Sequence, residues 1–306
     1  MKHRYGNGTS LLFHFATNTS RLPEIGRTRC MKLDCLVLES NLAFKVQGNR
    51  PIMRVANGIQ IADHDYPYVV AIVMKLDNKL RERLGVSWIQ MCTGSLLAGE
   101  WVLTAAHCDK GEAIRYGNME VAGDDPAATY SRIVERFPFH RDWVYSADIA
   151  LIKVNEVTID DFGKTSAMDY STLVGYPVSY LGYGLPAMAQ HLTKKQVLVE
   201  RAKNLKKQMG ESVVVKCPTR KSIVRYGPYI CLGAKCKHKR QNPVSGDSGG
   251  PLIHAGKIVG VASRGPRLKI YGTSLFTPVS PYLDWINTLV KPGNRFISSL
   301  IGNYEK

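Results

Sequence analysis

Gly246-Asp247-Ser248-Gly249-Gly250-Pro251 sets a serine hydroxyl among glycines, which permit a strained turn and the close approach of another molecule. An aliphatic hydroxyl is a poor nucleophile at neutral pH. It needs a nearby base, and the base needs a partner that holds its tautomer. Upstream, Trp101-Val102-Leu103-Thr104-Ala105-Ala106-His107-Cys108 ends an apolar run on a histidine, and Ala147-Asp148-Ile149-Ala150-Leu151-Ile152 sets one carboxylate among residues of buried type. Taken singly, a histidine at a strand end is structural, a serine among glycines is a turn, and an aspartate before an apolar strand is a cap. Their succession as His107, Asp148 and Ser248, with a domain's length of chain around them, reverses those readings.

This order and these motifs resemble the chymotrypsin-like serine endopeptidases, over Val55 to the C-terminus. The resemblance implies an all-β fold of two antiparallel six-stranded β-barrels, with the site between them and a C-terminal α-helix closing the second. It implies Ser248 as nucleophile, His107 as base, Asp148 as the holder of the ring, and the backbone N–H groups of Gly246 and Ser248 as an oxyanion hole. Pro51-Ile52-Met53-Arg54-Val55-Ala56-Asn57-Gly58 alone reads as a linker with an incidental arginine. Beside the serine motif it resembles the family's activation site, where cleavage after Arg54 frees the Val55 amine to pair with Asp247.

Specificity, on the same resemblance, depends on the residue six before the serine, here Asn242. An uncharged floor disfavours Arg and Lys, because burying a cation without a counter-charge costs several kcal/mol. Gly265 leaves one wall of the pocket open and Ser274 is small at the other, so apolar or aromatic side chains are expected there. Ser263 matches the segment that binds extended substrate backbone by strand addition, and its hydroxyl can also reach the triad carboxylate. Arg264 stands where an aromatic residue is common, which favours acidic residues further along the substrate. The family's disulfides imply pairing of Cys92 with Cys108 and of Cys217 with Cys231. A third family bridge, four residues before the serine, is absent because Val244 stands there. Cys236 has no evident partner; Cys30 and Cys35 either close on each other or tether the leader to Cys236.

Residues alone, without the resemblance, support only an all-β chain. Short β-branched runs at 68–75, 94–97, 101–104, 149–154, 178–181, 196–199, 212–215, 252–253 and 258–262 read as strands. One helix is read, over 281–290, where Tyr282, Trp285, Ile286 and Leu289 share a side. Residues 1–54 hold no sustained period and read as a poorly ordered leader ahead of a protease domain over 55–306.

Hydrophobic residues at 44% and charged ones at 22% describe a globular chain, without an apolar run long enough to span a bilayer. Seven cysteines beside this triad point to an oxidising compartment, hence to a secreted monomer. Leu11-Leu12-Phe13-His14-Phe15-Ala16 is too short and too interrupted for a signal peptide, a mismatch that a mis-assigned start or truncated upstream end explains. The formal charge is +16, and between Arg201 and Arg240 the only acid is Glu211. That stretch reads first as a solvated rim, and second as an exosite for acidic proteins or sulfated polysaccharide. Aromatics do not interleave with its charges as nucleic-acid binding requires, and the histidines lack metal-ligand spacing, so no cofactor is expected. The partners implied are a protein or peptide substrate and an activating protease. Against the enzyme stands a second reading: a catalytically silent secreted homologue that binds through its basic face.

Overall fold

Val69–Lys75 (β2) carries five consecutive buried residues, because one of its faces fills a barrel and the other is covered. The computed structural model describes residues 58–140, 147–185, 192–203, 205–218, 227–233, 241–265 and 273–291. Arg54, Val55, Cys30, Cys35 and Cys236 lie outside these, as does most of the basic stretch beyond Cys217.

The first barrel joins β2 to Trp88–Ala98 (β3), Trp101–Thr104 (β4), Ala113–Tyr116 (β5), Thr129–Pro138 (β6) and Ala150–Val154 (β7). Its order is β2-β3-β4-β7-β6-β5, closed by antiparallel pairing of β5 with β2. The second barrel is built from Pro177–Gly182 (β8), Gln208–Val215 (β9), Ile230–Gly233 (β10), Pro251–His254 (β11), Lys257–Arg264 (β12) and Ser274–Pro278 (β13). Its order is β8-β9-β10-β13-β12-β11, closing back onto β8, and Ile59–Gln60 (β1) adds to the outside of β9. Closure removes the unpaired edges that open sheets present. The expected pair of six-stranded antiparallel barrels is therefore found.

Val70, Ile72, Leu96, Leu103, Ile114 and Leu151 fill the first barrel, and Tyr180, Val214, Leu232, Leu252 and Phe276 fill the second. Leu181, Ile253, Ile258 and Val261 of the second barrel join the first barrel's cluster. An apolar seam thus fixes one barrel against the other, and the polar site described below lies along it.

Among the described residues three α-helices stand where the sequence suggested one. Asn78–Leu84 (α1) starts where Asp77 accepts from Leu80 N at 2.8 Å and ends on Gly85, whose φ of 66° suits a left-handed cap. Lys194–Lys203 (α2) overturns the strand read at 196–199. Val197 and Val199 suggested a strand, yet Thr193 and Gln196 form a capping box. Thr193 N donates to Gln196 Oε1 at 2.9 Å, and Gln196 N donates to Thr193 Oγ1 at 3.3 Å. Leu198 and Ala202 then pack α2 onto Ile89 and Met91 of β3, beside Leu80 and Leu84 of α1. The last helix, Leu283–Val290 (α3), follows a 3-10 turn at Ser280–Tyr282 and buries Ile286. Phe139 packs edge-on against Tyr282 and Trp285 there.

Lys207 departs from the solvated rim read for its stretch, in which Lys206 and Lys216 are exposed. It is 1% exposed, and its ammonium donates to the backbone carbonyls of Asp63, Asp65 and Tyr66 at 2.6–3.0 Å. Burial lowers its pKa to about 8, against the raising influence of Asp63 and Asp65.

Candidate active site

His107 follows β4 and Asp148 precedes β7, so the β4–β7 pairing brings the two together at one end of the first barrel. The Asp148 side chain is 1% exposed and fully occupied. Its Oδ1 accepts from the His107 backbone N–H at 3.0 Å. Its Oδ2 meets His107 Nδ1 at 2.8 Å and accepts from the Ser263 hydroxyl at 2.6 Å. A carboxylate acceptor at Nδ1 makes that nitrogen the donor and fixes the ring's tautomer. Burial alone would raise the pKa of Asp148; the hydrogen bonds and charge of His107, with the Ser263 hydroxyl, outweigh it and hold the carboxyl below its usual value. Thr277 Oγ1 of β13 also donates to the Asp148 carbonyl at 3.1 Å, a second tie from the opposite barrel.

Ser248 comes from the second barrel, in the turn ahead of β11. Its carbonyl accepts from Thr93 N of β3 at 2.8 Å, which presses the turn onto the first barrel. Gly249 makes this approach feasible. Its φ is +82°, and a Cβ there would lie 2.1 Å from Thr104 Oγ1 and 2.3 Å from the Thr93 carbonyl. Cys92 of β3 is bonded to Cys108, the residue after His107, and Cys217 to Cys231, as the resemblance implied. Both sulfurs beside His107 are therefore consumed, and the grouping of Cys92, His107 and Cys108 offers no thiolate to a metal.

Asp247 is wholly buried. Its two oxygens accept from Gly184 N and Val244 N, each at 2.7 Å. Gly182 and Gly184 leave it room, since a Cβ on either would fall 2.2 or 2.5 Å from Asp247 Oδ1. Burial raises its pKa to about 7, although both backbone hydrogen bonds act to lower it.

Gly246 has a φ of +108°, and its carbonyl accepts from Gln90 Nε2 at 2.7 Å and Thr93 Oγ1 at 2.8 Å. Neither partner was read from the sequence. A glutamine inside the apolar run of β3, only 1% exposed, is the one signal that could have found the first. Asn242 is half-buried and Ser274 buried. A Cβ on Gly265 would lie 3.3 Å from the Pro243 carbonyl, so the 264–265 and 242–243 segments run side by side.

A histidine tied to a buried carboxylate on one barrel, with the serine turn of the other held against Thr93 of β3, fits a two-barrel serine protease fold. Residues 55–286 match the Trypsin family, and the chain belongs to it, among serine-type endopeptidases. It is 26% identical to the serine protease Hayan of Drosophila melanogaster over 81% of its own length but 41% of that protein's. It is 26% identical to the serine protease SSP1 of Scolopendra subspinipes, over 83% of this chain and 92% of that one. It is 25% identical to trypsin II-P29 of Gallus gallus, over 78% and 89%. Among the described residues, no helix is long and apolar enough to cross a membrane.

Proposed function

We propose that the chain is the zymogen of a secreted endopeptidase that cuts peptide bonds through Ser248, His107 and Asp148. Ser248 Oγ attacks the carbonyl carbon while His107 Nε2 takes its proton. The tetrahedral intermediate collapses as His107 returns that proton to the leaving amine, and water repeats the sequence to release the acyl group. Asp148 holds the ring and stabilises the imidazolium. The N–H groups of Gly246 and Ser248 receive the oxyanion, a contribution of about 3 kcal/mol per donor. The observation that carries this reading is the shared Asp148 Oδ2, which meets both His107 Nδ1 and Ser263 Oγ and so joins residues of both barrels in one network.

Cleavage after Arg54 by another protease frees the Val55 amine, and Asp247 is its partner. Support comes from the geometry around Asp247, a wholly buried carboxylate whose oxygens accept from Gly184 N and Val244 N and whose pKa burial raises to about 7. The primary pocket, with Asn242 at its floor and Gly265 and Ser274 as walls, takes apolar or aromatic side chains. Two disulfides fit an extracellular setting. Lys206 and Lys216, exposed in the basic stretch, serve first as a solvated rim and second as part of a site for acidic proteins or sulfated polysaccharide.

Fluorophosphonate labelling of protein cleaved after Arg54 tests the central claim. Tagging of wild-type protein, with no tagging or turnover in a folded Ser248→Ala variant, is expected. No tagging of the cleaved wild type, or turnover by the variant, would refute it and leave a silent homologue.

A further inference from the structure

We propose that Arg201 of α2 is a positioning residue that holds the oxyanion-binding turn in register, a role resting on the reading of Gly246 and Ser248 given above. Its guanidinium forms a fork across two segments. Nη2 donates to the Ser245 hydroxyl at 2.8 Å, and Nη1 donates to the Gln90 carbonyl at 2.8 Å. Ser245 immediately precedes Gly246. Gln90 reaches the same glycine from the other side, through Nε2 to the Gly246 carbonyl. One cation thus fixes both the residue before the oxyanion donor and the strand that grips its carbonyl.

The local structure is arranged for this. The β2–β3 register shifts between Ile72 and Val73, leaving Met91 without a partner in β2. Such a bulge re-aims the side chains beside it, and here Gln90 points into the seam while its carbonyl meets α2. Leu198 and Ala202 dock α2 on this bulge, which sets the direction from which Arg201 arrives. Among the described residues no carboxylate pairs with Arg201. Its acceptors among those residues, the Gln90 carbonyl and the Ser245 hydroxyl, are neutral. A planar fork satisfies two acceptors at once, which a lysine ammonium on a flexible stem does less well.

Holding Gly246 matters because a misplacement of about 1 Å in a catalytic group costs up to about 100-fold in rate. The turn is also tied by Asp247 and Gly249, by the bonds of Gln90 and Thr93 to the Gly246 carbonyl, and by Leu185 N, which donates to the Ser245 carbonyl at 2.9 Å; the Ser245 side chain stands at the exposed rim, where Arg201 reaches it. The missing bridge at Val244 removes a covalent restraint close by, and α2 supplies a non-covalent one.

Arg201→Ala, Arg201→Lys and wild type, each cleaved after Arg54, are to be compared by steady-state kinetics on a peptide amide. Backbone hydrogen exchange over 244–250 is to be measured on the same proteins. In Arg201→Ala, kcat should fall about 10- to 100-fold with KM nearly unchanged, Arg201→Lys should lie between, and added guanidinium ion should partly restore Arg201→Ala. Exchange at Asp247, whose N–H donates to the Val244 carbonyl, should quicken while that of β4 stays unchanged. Unchanged exchange over 244–250, or a loss confined to KM, would overturn the proposal. A wild type that never turns over counts against the protease reading alone, since the exchange comparison still decides whether Arg201 holds the turn.

Discussion

The Ser263 hydroxyl donates to Asp148 Oδ2 at 2.6 Å, on the oxygen that also meets His107 Nδ1 at 2.8 Å. A strand of the second barrel therefore sets the carboxylate that orients a histidine on the first. Ser263→Ala leaves Asp148 with both His107 contacts but removes a hydrogen bond to a charged acceptor, of a kind worth about 1.5–3 kcal/mol. Part of that is lost equally in ground and transition states, so kcat on a peptide amide should fall about 3- to 10-fold. Folding should persist because the strand pairs through its backbone. An unchanged kcat would mean that His107 alone suffices to hold the carboxylate.

The reactive motifs were legible because their residue types are chemically unusual where they stand: a histidine closing an apolar run, an aspartate opening one, a serine among glycines. The strands flanking them were legible from β-branched composition. What sequence concealed was mostly three-dimensional coincidence. β6 is exposed along much of one face, and its charged residues mask the alternation. α2 was misread because valines outweighed a capping box that spans only Thr193 to Gln196. Arg201 and Lys207 sit in a lysine-rich stretch that looks solvated, and only the fold supplies the carbonyls that bury them. Gln90 and Thr93 acquire significance through Gly246, more than 150 residues away in the chain.

Asp247 gives stability a pH dependence whose sign separates the uncleaved from the cleaved chain. Its folded pKa is raised from 3.8 to about 7, so the fold favours the protonated form. Between those values the folded chain keeps a proton that the unfolded chain has released. The group's contribution is complete below about pH 4 and is lost as pH rises towards about 7, at up to about 1.4 kcal/mol per unit. Arg54→Gln, which resists activation, should show this decline in its urea midpoint. Cleaved wild type, with the Val55 ammonium against Asp247, should lack it because the ion pair keeps the carboxylate charged. Equal slopes in the two forms would separate Asp247 from activation, and an active N-terminus other than Val55 would do the same.

Asn242 tests the part of the reading that family membership leaves open. Its amide donates and accepts hydrogen bonds but cannot neutralise a buried cation. Gly265 lies beside the Pro243 carbonyl and, on the proposed reading of the pocket, leaves one wall without a side chain. Peptides with Phe, Tyr or Leu before the cleaved bond should be cut at least about 10-fold better than those with Arg or Lys, a ratio needing only about 1.4 kcal/mol in transition-state binding. Asn242→Asp should move preference towards basic residues. The shift should be incomplete, because Pro243 and the unbridged segment at Val244 also shape the pocket. Profiling the cleaved protein against a peptide library measures both expectations. Dominant cleavage after Arg or Lys by the unsubstituted protein would mean that the pocket takes its negative charge from a residue other than 242, and Asn242 would then lose its place as the floor.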